Sequence, residues 1–211
     1  MIIIDNVDVF NFENAIRGMR NPLNSWNRID SHYNENGDYV LGPNDLGLAS
    51  KLADGGEPHR KFMRQIFVSA DITAPMYWWS QFDTYKVGTT ANSTSKMHKL
   101  ASLEILLDDF SSDKCVPEGK DAFKEIIRVC NKMREKFLET NDKSYWYTMI
   151  QLLPEGYNQT RTVTMDYENL ANMYRWRKNH KLDEWKDFCK WCETLPYAKE
   201  FIVNKQDEMN K

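Results

Sequence analysis

Between Gln81 and Lys99 the sequence reads QFDTYKVGTTANSTSKMHK, a run short of large aliphatics in which Lys86, Lys96 and Lys99 stand among Thr, Ser and Asn side chains. Several hydroxyl and ammonium groups can share one phosphate through charge-assisted hydrogen bonds. The same composition also describes a solvated loop. A second group lies in NMYRWRKNHK, where Arg175 and Arg177 flank Trp176 and follow Asn172. On a helix Asn172 and Trp176 share a face, whereas Arg175 and Arg177 point in different directions. The ordinary alternative is a basic helix end that complements the dipole. By themselves these clusters make an anion site a candidate and nothing narrower.

Other chemistries find no footing. The chain has no GxxxxGK[ST] or GxGxxG phosphate loop, no HExxH and no GxSxG. His32, His59, His98 and His180 are scattered, so neither a metal centre nor a triad can be assembled from spacing. Cys189 and Cys192 form CKWC, the spacing of a redox or zinc motif, without a second CxxC or a nearby Cys/His pair. Two small apolar side chains packed on one helix account for them more simply.

The 211 residues have the length of one domain, and 41% hydrophobic with 28% charged residues is a globular balance able to bury a core. A formal charge of −3 argues against coating nucleic acid or an anionic membrane. No stretch approaches the roughly 20 apolar residues that span a bilayer. The start, MIIIDNVDVF, lacks a basic n-region, so the expectation is a cytoplasmic protein.

These residues must be positioned by the following elements. MIIIDNVDVF reads as a strand, and NFENAIRGMR as a short helix with Asn11 as N-cap. Residues 21–42 are polar and turn-rich, a long surface excursion. A helix starts at Asn44-Asp45 and ends at Gly55-Gly56. Ile66, Val68, Ala70 and Ile72 alternate with Phe67, Ser69 and Asp71, the period of a half-buried strand. Thr73 and Pro75 then open a helix that runs into the polar stretch and breaks at Gly88. Farther on, Phe123, Ile126, Ile127, Cys130, Met133 and Phe137 recur at three- and four-residue spacings, a long amphipathic helix. SYWYTMIQLLP is a second helix ended by Pro154, NQTRTVTMD a short strand, and two more helices follow. The fold class is α+β, a helix-dominated single domain over residues 1–211 with a small sheet.

Two long segments, read together, resemble the flavin-dependent thymidylate synthases. HRKFMRQIFVSADITAPMYWWSQFDTYKVGTTANSTSKM is similar, without a gap, to that family's histidine-led strand, its AP helix start, a Gln near the helix end, and the signature Arg-His-Arg, seven residues, Ser. IQLLPEGYNQTRTVTMDYENLANMYRWRKNHKLDEW resembles its LP helix end, Thr-containing strand and NL-type helix. Together they cover a little over a third of the chain. The resemblance places His59, Tyr85, Lys86, Asn92 and Asn172 at cofactor-binding positions. It places Gln81, Thr94, Lys96 and Arg177 at nucleotide-binding ones, with Arg177 also the candidate catalytic residue.

What the resemblance implies is reductive methylation of dUMP or a related nucleotide, with FAD as cofactor and NADPH and methylenetetrahydrofolate as co-substrates, in a homotetramer. The signature is thinned. Its triplet reads Thr84-Tyr85-Lys86, its Ser is Thr94, the following Arg is Lys96, and the Arg before LP is Ile150. Lysine keeps the charge of arginine but loses the planar fork. A hydrogen bond to a charged ligand is worth about 1.5–3 kcal/mol, so an absence of cations at 84 and 150 would cost on the order of a hundredfold or more in affinity. A non-catalytic homologue that keeps the fold and oligomer, and binds a nucleotide or flavin or serves structurally, is the alternative.

Overall fold

The computed structural model describes residues 2–95 and 100–203. Lys96, His98 and Lys99 lie outside the described residues, so the expectation for Lys96 is not addressed by the fold. The chain is helix-dominated with a small sheet, as its periodicities predict. A four-stranded sheet has the order β1 (Ile3–Phe10), β4 (Phe67–Pro75), β6 (Asn158–Asp166), β5 (Thr89–Ser93). Among the described residues the chain forms two compact units. The first takes in 2–3, 72–84, 92–95 and 100–162, and the second 4–71, 85–91 and 163–203.

In the first unit, α4 (Pro117–Thr140) and α5 (Lys143–Leu152) pair through the apolar stripe seen in the sequence. Phe123, Ile126, Ile127, Met133 and Phe137 pack with Cys130 against Leu100, Ile105, Phe110 and Met149. Ile150 joins this cluster. Helix α3 (Met76–Phe82) buries Trp78, Trp79 and Phe82. Its N-cap is Pro75, which has no side-chain acceptor to offer, so carbonyls from another segment satisfy the first orphan donors. Met76 N–H donates to Tyr157 O at 3.0 Å and Tyr77 N–H to Glu155 O at 3.1 Å. Thr73 is therefore no cap: it is still in β4, its hydroxyl 2.6 Å from that of Thr160.

In the second unit, α1 (Phe12–Met19), α2 (Pro43–Asp54), a 3-10 turn (Arg60–Gln65), α6 (Tyr167–Arg177), α7 (Asp183–Glu193) and α8 (Ala198–Phe201) enclose a core rich in aromatics. Tyr167, Trp185, Phe188 and Phe201 are fully buried in it. Asn11 occupies the N-cap position of α1 but in the left-handed region (φ 72°), with no side-chain cap bond. Its amide instead donates to Gln65 O at 2.8 Å. The 21–42 excursion carries a two-stranded antiparallel hairpin, β2 (His32–Tyr33) with β3 (Tyr39–Val40). Its root is tied to the buried Asp45, which accepts from Arg20 Nε at 2.6 Å, from Asp30 N–H and Ser31 N–H at 3.0 Å each, and from Ser31 Oγ at 2.6 Å.

The polar stretch departs most from expectation. Its helix ends at Phe82, six residues before Gly88, and residues 89–93 form strand β5. Alternating Thr, Ala, Asn and Ser on an exposed edge carry no apolar period, so only pairing with β6 reveals the strand.

Candidate functional site

Helix α6 organises the second unit's site. Asp166 caps it by accepting from Asn169 N–H at 2.8 Å, Glu168 lies in the first turn, and Arg175 and Arg177 lie in the last, each sign matching the helix dipole. The loop 85–89 is strapped along this helix at three levels. Asp166 N–H donates to Gly88 O at 3.3 Å. The Asn169 amide donates to Val87 O at 2.8 Å and to the Thr89 hydroxyl. Arg177 Nε donates to Tyr85 Oη at 2.8 Å. Gly88 adopts φ +71°, and a Cβ there would overlap the Asp166 carboxylate, so glycine is required on both counts.

Beside the strap, a cavity of about 520 Å³ is lined by Arg60, Arg64, Asn172 and Arg175, by Glu57, Asp166 and Glu168, and by the apolar Val87, Ala171 and Ile202. That volume falls within the roughly 300–1,000 Å³ of small-molecule sites. Glu168 accepts from Arg64 Nε, and Glu57 Oε1 is 3.3 Å from Arg64 Nη2. Arg60 Nε is buried and has no hydrogen-bond partner among the described residues, with an ion pair to Glu168 Oε1 at 3.9 Å. An acceptor entering the cavity would satisfy it. Burial pushes the Asp166 carboxyl above its usual range, outweighing the cap hydrogen bond from Asn169 N–H.

The sequence-expected residues divide between the units. His59, Tyr85, Lys86, Asn172 and Arg177 belong to the second; Gln81, Asn92 and Thr94 belong to the first. Only Asn172 among them lines the cavity. His59 is exposed just ahead of the Arg60–Gln65 turn, and Lys86 is exposed on the strap. Arg177 is half-buried, its guanidinium 5.4 Å from the Tyr85 ring and 4.6 Å from the Trp185 ring. Arg175 and Arg177 thus diverge as the helical spacing predicts.

In the first unit, Gln81 lies half-buried on the last turn of α3, and Asn92 is exposed on β5. Thr94 N–H donates to Thr160 O at 2.9 Å, and Thr94 O accepts from Gln159 Nε2 at 2.7 Å. Thr84 and Ile150, the two positions that lack the signature's cation, both serve the fold. The Thr84 hydroxyl donates to Gln81 O at 2.7 Å, and Ile150 packs on the first unit's core.

Sequence reasoning missed Arg60, Arg64 and Glu168. The signal for the first two was present: cations spaced by four directly after His59. It also missed Arg161 in the first unit, stacked 4.2 Å from the Trp79 ring and ion-paired with Asp83 at 2.6 Å.

No protein-family model matches this sequence, and no curated protein matches it. Solved structures do. Thymidylate synthase X from Helicobacter pylori, solved with FAD and dUMP, superposes with a TM-score of 0.71 over 100% of both chains at 14% identity. A second structure of that enzyme with the same ligands gives 0.66 over 95% of this chain and 96% of that one, at 15% identity. A UMP/dUMP methylase, PolB from Streptomyces cacaoi, bound with 5-Br dUMP, gives 0.62 at 12% identity over 97% and 96%. The fold is that of thymidylate synthase X. At 12–15% identity the likeness shows the backbone course.

Proposed function

We propose that this protein binds FAD and a uridine nucleotide such as dUMP and acts as a nucleotide methylase of the thymidylate synthase X kind. The observation that carries the reading is the cavity on α6. Its lining joins Asn172 to guanidinium groups, among them a buried Arg60 Nε with no hydrogen-bond partner among the described residues, on a fold that solved structures holding FAD and dUMP share.

The lining fits a flavin dinucleotide in kind. Val87, Ala171 and Ile202 offer an apolar wall for a flat ring, and Arg60, Arg64 and Arg175 offer cations for a diphosphate. Asn172, His59 and Lys86 supply further polar groups in the same unit. FAD, when bound, carries the reducing equivalents of the reaction. NADPH supplies those electrons, and methylenetetrahydrofolate supplies the carbon that becomes the methyl group. The chain's own part is orientation and charge placement, since no side chain need be the reagent. Arg177 holds the nucleotide and sets positive charge where the uracil becomes electron-rich. Gln81, Asn92 and Thr94 remain nucleotide and cofactor contacts proposed from the resemblance, and the homotetramer is proposed on the same ground.

A second reading is favoured by particular residues. Glu168 already engages Arg64, and Thr84 and Ile150 serve the fold where the resembled signature has cations. A homologue that binds ligand without turnover would look like this. Purified protein is to be incubated with FAD, NADPH, methylenetetrahydrofolate and dUMP, and the nucleotide followed by mass spectrometry. Conversion of dUMP to its methylated product supports the enzyme. FAD uptake without methylated product selects the non-catalytic homologue.

A further inference from the structure

Glu168 lies across two of the guanidinium groups that the reading above gives to a diphosphate. Its oxygens face different arginines. Oε2 accepts from Arg64 Nε, whereas Oε1 is 3.9 Å from Arg60 Nε, an ion pair too long for a hydrogen bond. Arg60 Nε is buried and has no hydrogen-bond partner among the described residues. The carboxylate therefore holds one arginine and only attracts the other. The Arg60 and Glu168 side chains are 18% and 17% exposed, so solvent screens this pair less than a surface pair. Glu57 differs: it reaches Arg64 Nη2 at 3.3 Å from a side chain that is 80% exposed.

We propose that Glu168 is a built-in competitor for the ligand's anionic group, holding Arg60 and Arg64 until the phosphate oxygens of an incoming diphosphate replace it. This rests on the reading above that the cavity takes a flavin dinucleotide, and it says what limits the affinity of that site. The physical case begins with charge. Arg60, Arg64 and Arg175 line the cavity against Glu57, Asp166 and Glu168, so the formal charges of the lining cancel. An anion gains little there until a carboxylate gives way. Asp166 is committed to the fold by its cap bond from Asn169 N–H, and Glu57 sits at the rim. Glu168 is the carboxylate whose withdrawal exposes two guanidinium groups at once. The exchange is matched in kind: the phosphate oxygens take over the Arg64 Nε donor and give Arg60 Nε the acceptor that Glu168 does not supply. The first turn of α6 favours an anion whichever group provides it, so the helix dipole does not oppose the swap. A flavin without phosphate has nothing to exchange and leaves Glu168 in place.

The test titrates the full chain by calorimetry with inorganic pyrophosphate, FAD and riboflavin at one fixed ionic strength. Glu168→Gln keeps the shape of the side chain and removes its charge. It is expected to tighten pyrophosphate and FAD by about tenfold or more, the scale of one hydrogen bond to a charged group, with riboflavin changed by less than about twofold. Glu57→Gln, which removes a charge at the solvent-screened rim, should give the smaller gain of the two. A measurement on the wild type keeps the case decidable if a variant folds poorly: the Glu168 side-chain carboxyl carbon resonance should shift as pyrophosphate saturates the site. Unchanged or weaker pyrophosphate binding by Glu168→Gln would show that Glu168 positions the arginines and does not compete for them. Equal gains in the two variants, an equal gain for riboflavin, or a resonance that stays put at saturation each overturn the proposal, as does a failure of both wild type and Glu168→Gln to bind pyrophosphate. A pyrophosphate gain in a protein that takes up no FAD upholds the competition and overturns the flavin reading instead.

Discussion

Replacing Gly88 by alanine isolates the strap that holds loop 85–89 on α6. Two costs arise. Gly88 sits at φ +71°, where an L-residue is disfavoured by about 1–2 kcal/mol. The new Cβ would also overlap an Asp166 carboxylate oxygen and lie 3.1 Å from its carboxyl carbon. Asp166 must then swing out, forfeiting the N-cap bond to Asn169, worth about 0.5–2 kcal/mol. The sum is about 1.5–4 kcal/mol, less the small gain any Gly→Ala change draws from a stiffer unfolded chain.

Gly37 supplies the control in the same unit. It has φ +84° and nothing within 4 Å of where an added methyl would sit, so Gly37→Ala bears the backbone cost alone. Urea unfolding of both variants should therefore separate them by about 0.5–2 kcal/mol, the contribution of the displaced cap. Equal losses in the two variants would refute the claim that Asp166 and Gly88 are fitted to each other.

Other consequences follow from buried groups. Asp45→Ala leaves the Arg20 guanidinium buried beside no carboxylate and should cost about 3–5 kcal/mol in urea unfolding; a loss below about 1 kcal/mol would contradict the rooting of the 21–42 hairpin on Asp45. His180 is held below its usual pKa, first by burial and then by Arg177, Lys181 and Lys186, and its Nδ1 accepts from Leu182 N–H at 3.1 Å. Its folded pKa lies below the unfolded 6.5, so the stability it contributes is present above 6.5 and lost as pH falls toward the folded value. Its ring-proton NMR midpoint should accordingly fall below 6.5, and a midpoint above that would reverse the sign. Burial pushes the Cys189 thiol up to about 12 and Cys192 well above its ordinary value. Both should resist a thiol reagent in the native state and react on unfolding, and rapid native labelling would reopen a redox role for CKWC.

What is legible in the sequence follows the strength of each period. The α4 stripe is strong because its inward residues meet one continuous apolar cluster, and each of them packs where the spacing says. β4 reads correctly because Val68, Ala70, Ile72 and Ala74 are buried on alternate positions. The expected helix start is misplaced because Thr73 is a good cap in isolation, whereas Tyr157 and Glu155 carbonyls, far along the chain, supply the actual partners. β5 has no apolar alternation to show. The cavity is only partly legible: Arg60 and Arg64 show as cations four apart, but they meet Glu168 and Asn172 only when the 3-10 turn packs on α6, a long-range event. Arg177 and Asn172 stand out in the sequence as part of a basic cluster, and the resemblance alone suggests what they would bind.

The central claim is the proposal that this protein binds a flavin and a uridine nucleotide, with Arg177 on the nucleotide. The most direct measurement is an equilibrium titration of the purified chain with FAD, followed by dUMP, in the wild type and in Arg177→Ala. Saturable FAD uptake is expected in both proteins, together with dUMP binding by the wild type that Arg177→Ala loses. A wild type that takes up neither FAD nor dUMP would contradict the claim.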